Sequence, residues 1–223
     1  MGGGMFAPID LYCERLGAGF WAEPVNALTN LAFVIAGLWG VVAARRSGSG
    51  RFVEVLGWWV VAIGIGSFLF HTFANRLTIW FDIVPIATLV VVFSFFALHR
   101  FAGYGKAAAV AILVVFLVVA GAVTWAVPDW LRVASNGTTG YLPAFLAMLV
   151  FGVLCLWRGS PAGWYLLAAG GIFVVSATSR MIDPVVCETF PLGTHFLWHT
   201  LNGVMLWVAL AAAVRYGRPP AAP

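Results

Sequence analysis

Charge is what this sequence has least of. Only 9% of its 223 residues are Asp, Glu, Lys or Arg, where a soluble domain carries about a quarter. Hydrophobic residues make up 62%, and the mean hydropathy is +0.98. An ordinary soluble domain is excluded on these figures. The net charge of +4 has no concentrated source. Beyond the short Arg45-Arg46 pair there is no basic run with interleaved aromatics, so nucleic-acid binding is not expected. No internal repeat is evident, and no separate soluble domain fits between the apolar runs. Met1 to Pro8 lacks a basic n-region followed by an apolar h-region, so no cleavable signal peptide is expected there. No lysine lies in the last apolar run, which speaks against a retinal protein.

What is there is a series of long apolar runs. A helix needs about 20 mostly apolar residues to cross a bilayer. Seven segments qualify: about 25–44, 54–73, 78–98, 106–127, 141–157, 164–180 and 194–214, the fifth and sixth being the shortest. The expected fold is an all-α membrane protein, a seven-transmembrane-helix bundle. It forms a single domain over 1–223, with 1–23 an extramembrane N-terminal segment. Trp125, Trp130, Tyr141, Trp157 and Trp164 fall near span boundaries, as an aromatic belt would. Loops on one side hold Arg45, Arg46, Arg51, Arg100, Lys106, Arg158, Arg215 and Arg218; the other side holds Arg15, Arg76, Arg132 and Arg180. The richer side should be cytoplasmic, which puts the N-terminus outside and the C-terminus inside.

Polar residues at the span ends carry the functional signal. His195 and His199, four apart on a helix, project from one face and can offer two imidazoles to one metal ion. Their alternative is a pair of interfacial histidines facing water. Ser67 and His71 have the same spacing at the end of span two, beside Gly64 and Gly66, which permit close helix approach. Asp82 opens span three, where a carboxylate is costly unless paired or wet. Glu23 precedes Pro24 and complements a helix N-terminus. Asn26 and Asn30 suit hydrogen bonds to other helices. Asp10, Glu14 and Glu23 form an acidic, Gly-bearing segment that reads either as solvated loop or as hard oxygen ligands for Ca²⁺. Arg180 pairs with Asp183 locally or neutralises an acid elsewhere. Spans four and five, with no ionisable group inside but Cys155, read as scaffold or lipid-pocket wall. His99 reads as a solvated loop residue.

Helix alternation brings these residues to one depth. The end of span two and the starts of spans three and seven share a membrane face. His71, Asp82, His195 and His199 therefore lie at one level, with the acidic segment on their side and His99 on the other. Three protein ligands plus an open position is the pattern of a catalytic zinc site. A structural zinc would need a fourth protein ligand.

The set Ser67-x-x-x-His71, Asp82 eleven residues on, and His195-x-x-x-His199 resembles the alkaline ceramidase family. That family belongs to a superfamily of seven-span membrane hydrolases that includes adiponectin-receptor-like proteins. Tyr12-Cys13-Glu14 and Ala22-Glu23-Pro24-Val25-Asn26 resemble the family's N-terminal region. The resemblance implies zinc on His71, His195 and His199, with Ser67 and Asp82 beside the metal. It implies hydrolysis of ceramide to a sphingoid base and a fatty acid. It also implies a calcium site in the N-terminal segment, where Glu14 and Glu23 match, Asp10 is one position early, and Leu11 and Leu16 replace oxygen ligands. It favours a disulfide between Cys13 and Cys187, both on the outer side by the orientation above, where oxidising conditions permit one. Two unrelated thiols are the alternative.

On this reading Asp82 orients water and moves its proton, and Ser67 donates to the developing oxyanion. Asn26, Arg180 and Asp183 support the site. The partner is a ceramide-like membrane lipid, with no obligatory protein partner. Two alternatives stand beside it: a hydrolase of another lipid amide or ester on the same scaffold, and a non-enzymatic receptor-like zinc protein. A compact chain without a retention signal suits a bacterial inner membrane, with the site near the periplasmic face.

Overall fold

In a bilayer every backbone N–H and C=O must be satisfied within the protein, and a helix does this inside each segment. The computed structural model describes residues 4–218; the outermost ends of the expected domain, 1–3 and 219–223, lie outside the described residues. The described residues are helical, with one isolated β-bridge between Pro8 and Asn75. The helices are α1 (Pro24–Thr29), α2 (Leu31–Ser47), α3 (Arg51–Phe73), α4 (Thr78–Phe96), α5 (Lys106–Trp125), α6 (Asp129–Ala134), α7 (Leu142–Trp157), α8 (Ala162–Val186) and α9 (His195–Tyr216). Among the described residues seven helical segments are long and apolar enough to cross a membrane. α1 and α2 make the first, broken at Asn30. A π-helical turn, Ala97–Phe101, extends α4, and a 3₁₀ turn, Thr138–Tyr141, leads into α7. α6 is a short helix in the loop between the fourth and fifth spans.

Sequence neighbours pack against one another: α2 on α3, α3 on α4, α7 on α8, α8 on α9. α9 also packs on α2, joining the last span to the first. The outward faces are apolar. Val114, Val115, Val118 and Val119 of α5 are all exposed, as are Trp125, Trp157 and Trp164 at helix ends. A contiguous apolar exterior is what lipid, not water, accepts. A dry core fills one end of the bundle, with Val53, Leu56, Phe96, Leu98, Phe151 and Leu210 among its buried residues. The opposite end, where α3 finishes and α4 and α9 begin, holds most of the buried polar residues.

The sixth span departs most from expectation. The sequence places its end at Arg180, after the polar run Ser176-Ala177-Thr178-Ser179, but α8 continues to Val186 through Pro184. Ser176, Ser179, Arg180 and Asp183 are all buried. Their polarity marks a face turned into the protein, not a helix end. Tyr141 is no belt residue: it is half-buried, with its ring 4.8 Å from that of Trp198. His99 is no solvated loop residue either. It sits in the π-turn with Nδ1 2.8 Å from the Tyr104 carbonyl and its ring stacked on Phe95.

Candidate metal centre

The chain first meets the site in its N-terminal segment. Ile9 N–H donates to Ala74 O at 2.7 Å and Arg76 N–H to Ala7 O at 3.2 Å, which pins the segment to the α3–α4 turn. Further along, Cys13 and Cys187 are bridged, with Cα atoms 5.1 Å apart, while Cys155 is a free buried thiol. Asp183, fully buried, completes this clamp. Its Oδ2 accepts from Cys13 N–H at 3.1 Å, and its Oδ1 accepts from Thr194 N–H at 2.7 Å and His195 N–H at 2.9 Å. The carboxylate therefore satisfies first-turn N–H groups of α9 that have no partner inside the helix. Gly193 turns with φ +67, and a Cβ there would collide with Asp183 Oδ1 and with Cys13. Among the described residues Asp183 and Arg180 form no ion pair with each other.

α3 and α9 supply three imidazoles. His71, His195 and His199 are each 1% exposed, and one ligand atom from each lies within 4.8 Å of the others. Two of the rings are oriented from behind. His71 Nδ1 donates to Glu23 Oε2 at 2.6 Å. His199 Nδ1 lies 3.1 Å from Thr29 Oγ1, whose own proton goes to Val25 O at 2.8 Å. Thr29 is thus left to accept from His199, and both rings keep Nε2 as a free lone pair. His195 stacks on Tyr12, with ring centroids 3.5 Å apart, and its buried Nδ1 has no hydrogen-bond partner. Three convergent imidazoles, two fixed by such outer contacts and one with an orphaned nitrogen, fit a metal ion.

Beside the histidines, α3 and α4 meet closely. A Cβ on Gly66 would strike the Phe81 carbonyl, and Gly64 lies against Asn30 and Phe33 on its other side. The close approach brings Ser67 to the Asp82 carboxylate. Ser67, Asp82 and His199 line one cavity, which continues between the helices past Phe33, Leu89, Phe93 and Phe151. Asp82 and Ala97 both line it, a reach of roughly 20 Å along α4. Arg180 lies near Asp82 without pairing to it. Its guanidinium donates to Thr138 Oγ1 at 2.9 Å, to Tyr12 Oη at 3.3 Å and to the Asn136 carbonyl.

The acidic segment is arranged differently from expectation. Glu14, not Glu23, caps α1: its two oxygens accept from Val25 N–H at 2.6 Å and Asn26 N–H at 2.8 Å. Glu23 turns inward to His71 and to Arg15, with Asn26 Nδ2 at 3.2 Å. Burial raises the Glu23 carboxyl, but the hydrogen bonds from His71 and Arg15 and the charge of the Arg15 guanidinium outweigh it and hold the group below the ordinary range. Asn26 and Asn30 donate within their own segment, Asn30 to Asn26 O at 2.9 Å, rather than across helices. Asp10 is exposed. Among the described residues Asp10, Glu14 and Glu23 do not gather into a metal-ligand group. Arg15, Tyr12 and Thr29 are the residues that sequence reasoning missed. A lone arginine between two glutamates was the only signal for the first.

A family model described as Ceramidase matches residues 12–217. No curated protein matches the chain.

Proposed function

The chain belongs to the ceramidase family, and from that premise we propose that it is a zinc-dependent intramembrane hydrolase that cleaves the amide bond of ceramide, releasing a sphingoid base and a fatty acid. The observation that carries the reading is the convergence of three buried imidazoles, one of which, His199, lines a long apolar cavity. His71, His195 and His199 would hold the ion. When bound, zinc supplies a Lewis acid and acidifies water.

The chain's own residues do the rest. Asp82 lines the cavity with Ser67. Its carboxylate is placed to take the proton of the attacking water and to return one to the leaving amine. Ser67 donates to the oxygen that gains charge as the carbonyl carbon becomes tetrahedral. A nucleophilic role does not suit Ser67: His71 is the nearby imidazole on its helix, and that ring is turned to Glu23 through Nδ1 and to the other histidines. The apolar lining between α4 and α7 takes the acyl chain and keeps bulk water from the reacting amide. A hydrolase of another lipid amide would use the same residues, so substrate class is read by profiling.

By the distribution of basic residues the site faces the outer side, consistent with the Cys13–Cys187 bridge beside it. Metal analysis of the purified chain, with hydrolysis assays on ceramides of varied chain length, tests the proposal. About one zinc per chain and release of free sphingoid base are expected. A metal-loaded chain that hydrolyses ester lipids but no ceramide would overturn the substrate reading.

A further inference from the structure

The cation of the N-terminal segment is part of the polypeptide. Arg15 is only 6% exposed. Its guanidinium is ringed by oxygen: Nε on Glu23 Oε1, Nη1 on the Gly17 carbonyl at 3.0 Å, Nη2 on the His71 carbonyl at 3.0 Å. A carboxylate and two backbone carbonyls are the kind of set that a hard divalent ion takes. The other oxygens that such an ion would need are committed elsewhere or missing. Both Glu14 oxygens are spent on the first N–H groups of α1. Leu11 and Leu16 are exposed and offer no side-chain oxygen, and Asp10 is exposed. The residues do not fit calcium.

We infer that the Arg15 guanidinium takes the place of a divalent ion in this segment and is a positioning residue for the metal centre. This rests on the reading of His71 as a metal ligand. Arg15 acts at two points on that residue. It grips the His71 carbonyl directly, and it holds Glu23 Oε1 so that Oε2 meets His71 Nδ1. The planar fork fixes which way the buried Glu23 carboxylate is aimed. The guanidinium is carried by the chain itself, so this tie needs no ion from solution.

The experiment uses the full chain in detergent and reads metal binding and thermal unfolding, not lipid hydrolysis. Wild-type chain stripped of calcium is dialysed against radioactive calcium. No stoichiometric uptake and no rise in Tm are expected. Stoichiometric uptake with a raised Tm overturns the inference. In parallel, zinc affinity is measured for wild type, Arg15→Ala and Arg15→Lys. Loss of an outer contact to a metal ligand costs about 10- to 100-fold in affinity, and that loss is expected for Arg15→Ala. Arg15→Lys should recover only part, since an ammonium cannot span Glu23 and both carbonyls as the fork does. Added methylguanidinium should restore zinc affinity to Arg15→Ala. Wild-type zinc affinity in a folded Arg15→Ala chain overturns the positioning role. Should that variant not fold, Arg15→Lys is read in its place, and the calcium measurement on wild type stands without either. A chain active on no ceramide would still give both results, so failure of the substrate reading is seen separately.

Discussion

On the proposed reading, removing any one imidazole leaves two ligands, too few to hold zinc against water. His71→Ala, His195→Ala and His199→Ala should each lose most bound metal and all hydrolysis, measured by metal analysis and a ceramide assay on the same preparation. Metal retained in full by the triple variant would move the site elsewhere. Asp82→Asn and Ser67→Ala should instead keep the metal. The first should slow turnover by a factor on the order of 10² to 10⁴, the range for lost acid–base catalysis. The second should cost on the order of 10² to 10³ as a lost oxyanion donor. Near-normal turnover in Asp82→Asn would remove its proton-transfer role. The histidines, Ser67 and Asp82 were legible from sequence because polar groups in apolar runs stand out, and alternation of spans fixes their depth. Arg15, Tyr12 and Thr29 were not. Arg15 lies in a stretch already rich in charge, and Thr29 acts through one hydroxyl, so neither contrasts with its surroundings. Glu14 took the capping role expected of Glu23 because adjacency to Pro24 says nothing of which way a carboxylate turns.

The junction of α8 and α9 carries the next test. Asp183 accepts three backbone N–H bonds from the N-terminal segment and the start of α9. Each hydrogen bond to a charged group contributes roughly 1.5–3 kcal/mol. Asp183→Ala leaves those donors buried and unpaired, and should lower stability by about 3 kcal/mol or more. It should also loosen zinc, because His195 is the first residue of the helix so anchored. Thermal unfolding and metal retention check both effects; an unchanged Tm would show that water replaces the carboxylate. Gly193→Ala should act in the same direction, through the collision with Asp183 and a strained left-handed backbone. Seven spans were countable from apolar runs alone, since hydropathy measures what the bilayer selects. The end of α8 was not, because hydropathy cannot tell a polar face buried in protein from a polar loop. Ser176 and Asp183, at and beyond the end that hydropathy marks, are fully buried.

The whole molecule is a bundle of seven spans with its candidate metal centre toward one end. Impermeant maleimide applied to intact cells should label Asp129→Cys, in the loop helix α6, and spare Arg46→Cys at the opposite end. The reverse pattern would invert the topology. Denatured, unreduced chain should show one free thiol, that of Cys155; three would mean the bridge does not form in the membrane. The bridge joins residues 174 positions apart, and this bears on how the protein is made. His71 is synthesised early and His195 and His199 late, and the strap that backs them closes onto the loop just before α9. No nascent chain short of its final span carries all three histidines, and none short of Cys187 can close the strap. On the proposed reading, metal is therefore acquired only once the last helix has joined the bundle. A ribosome stalled before α9 would leave a fragment with one of the three proposed ligands.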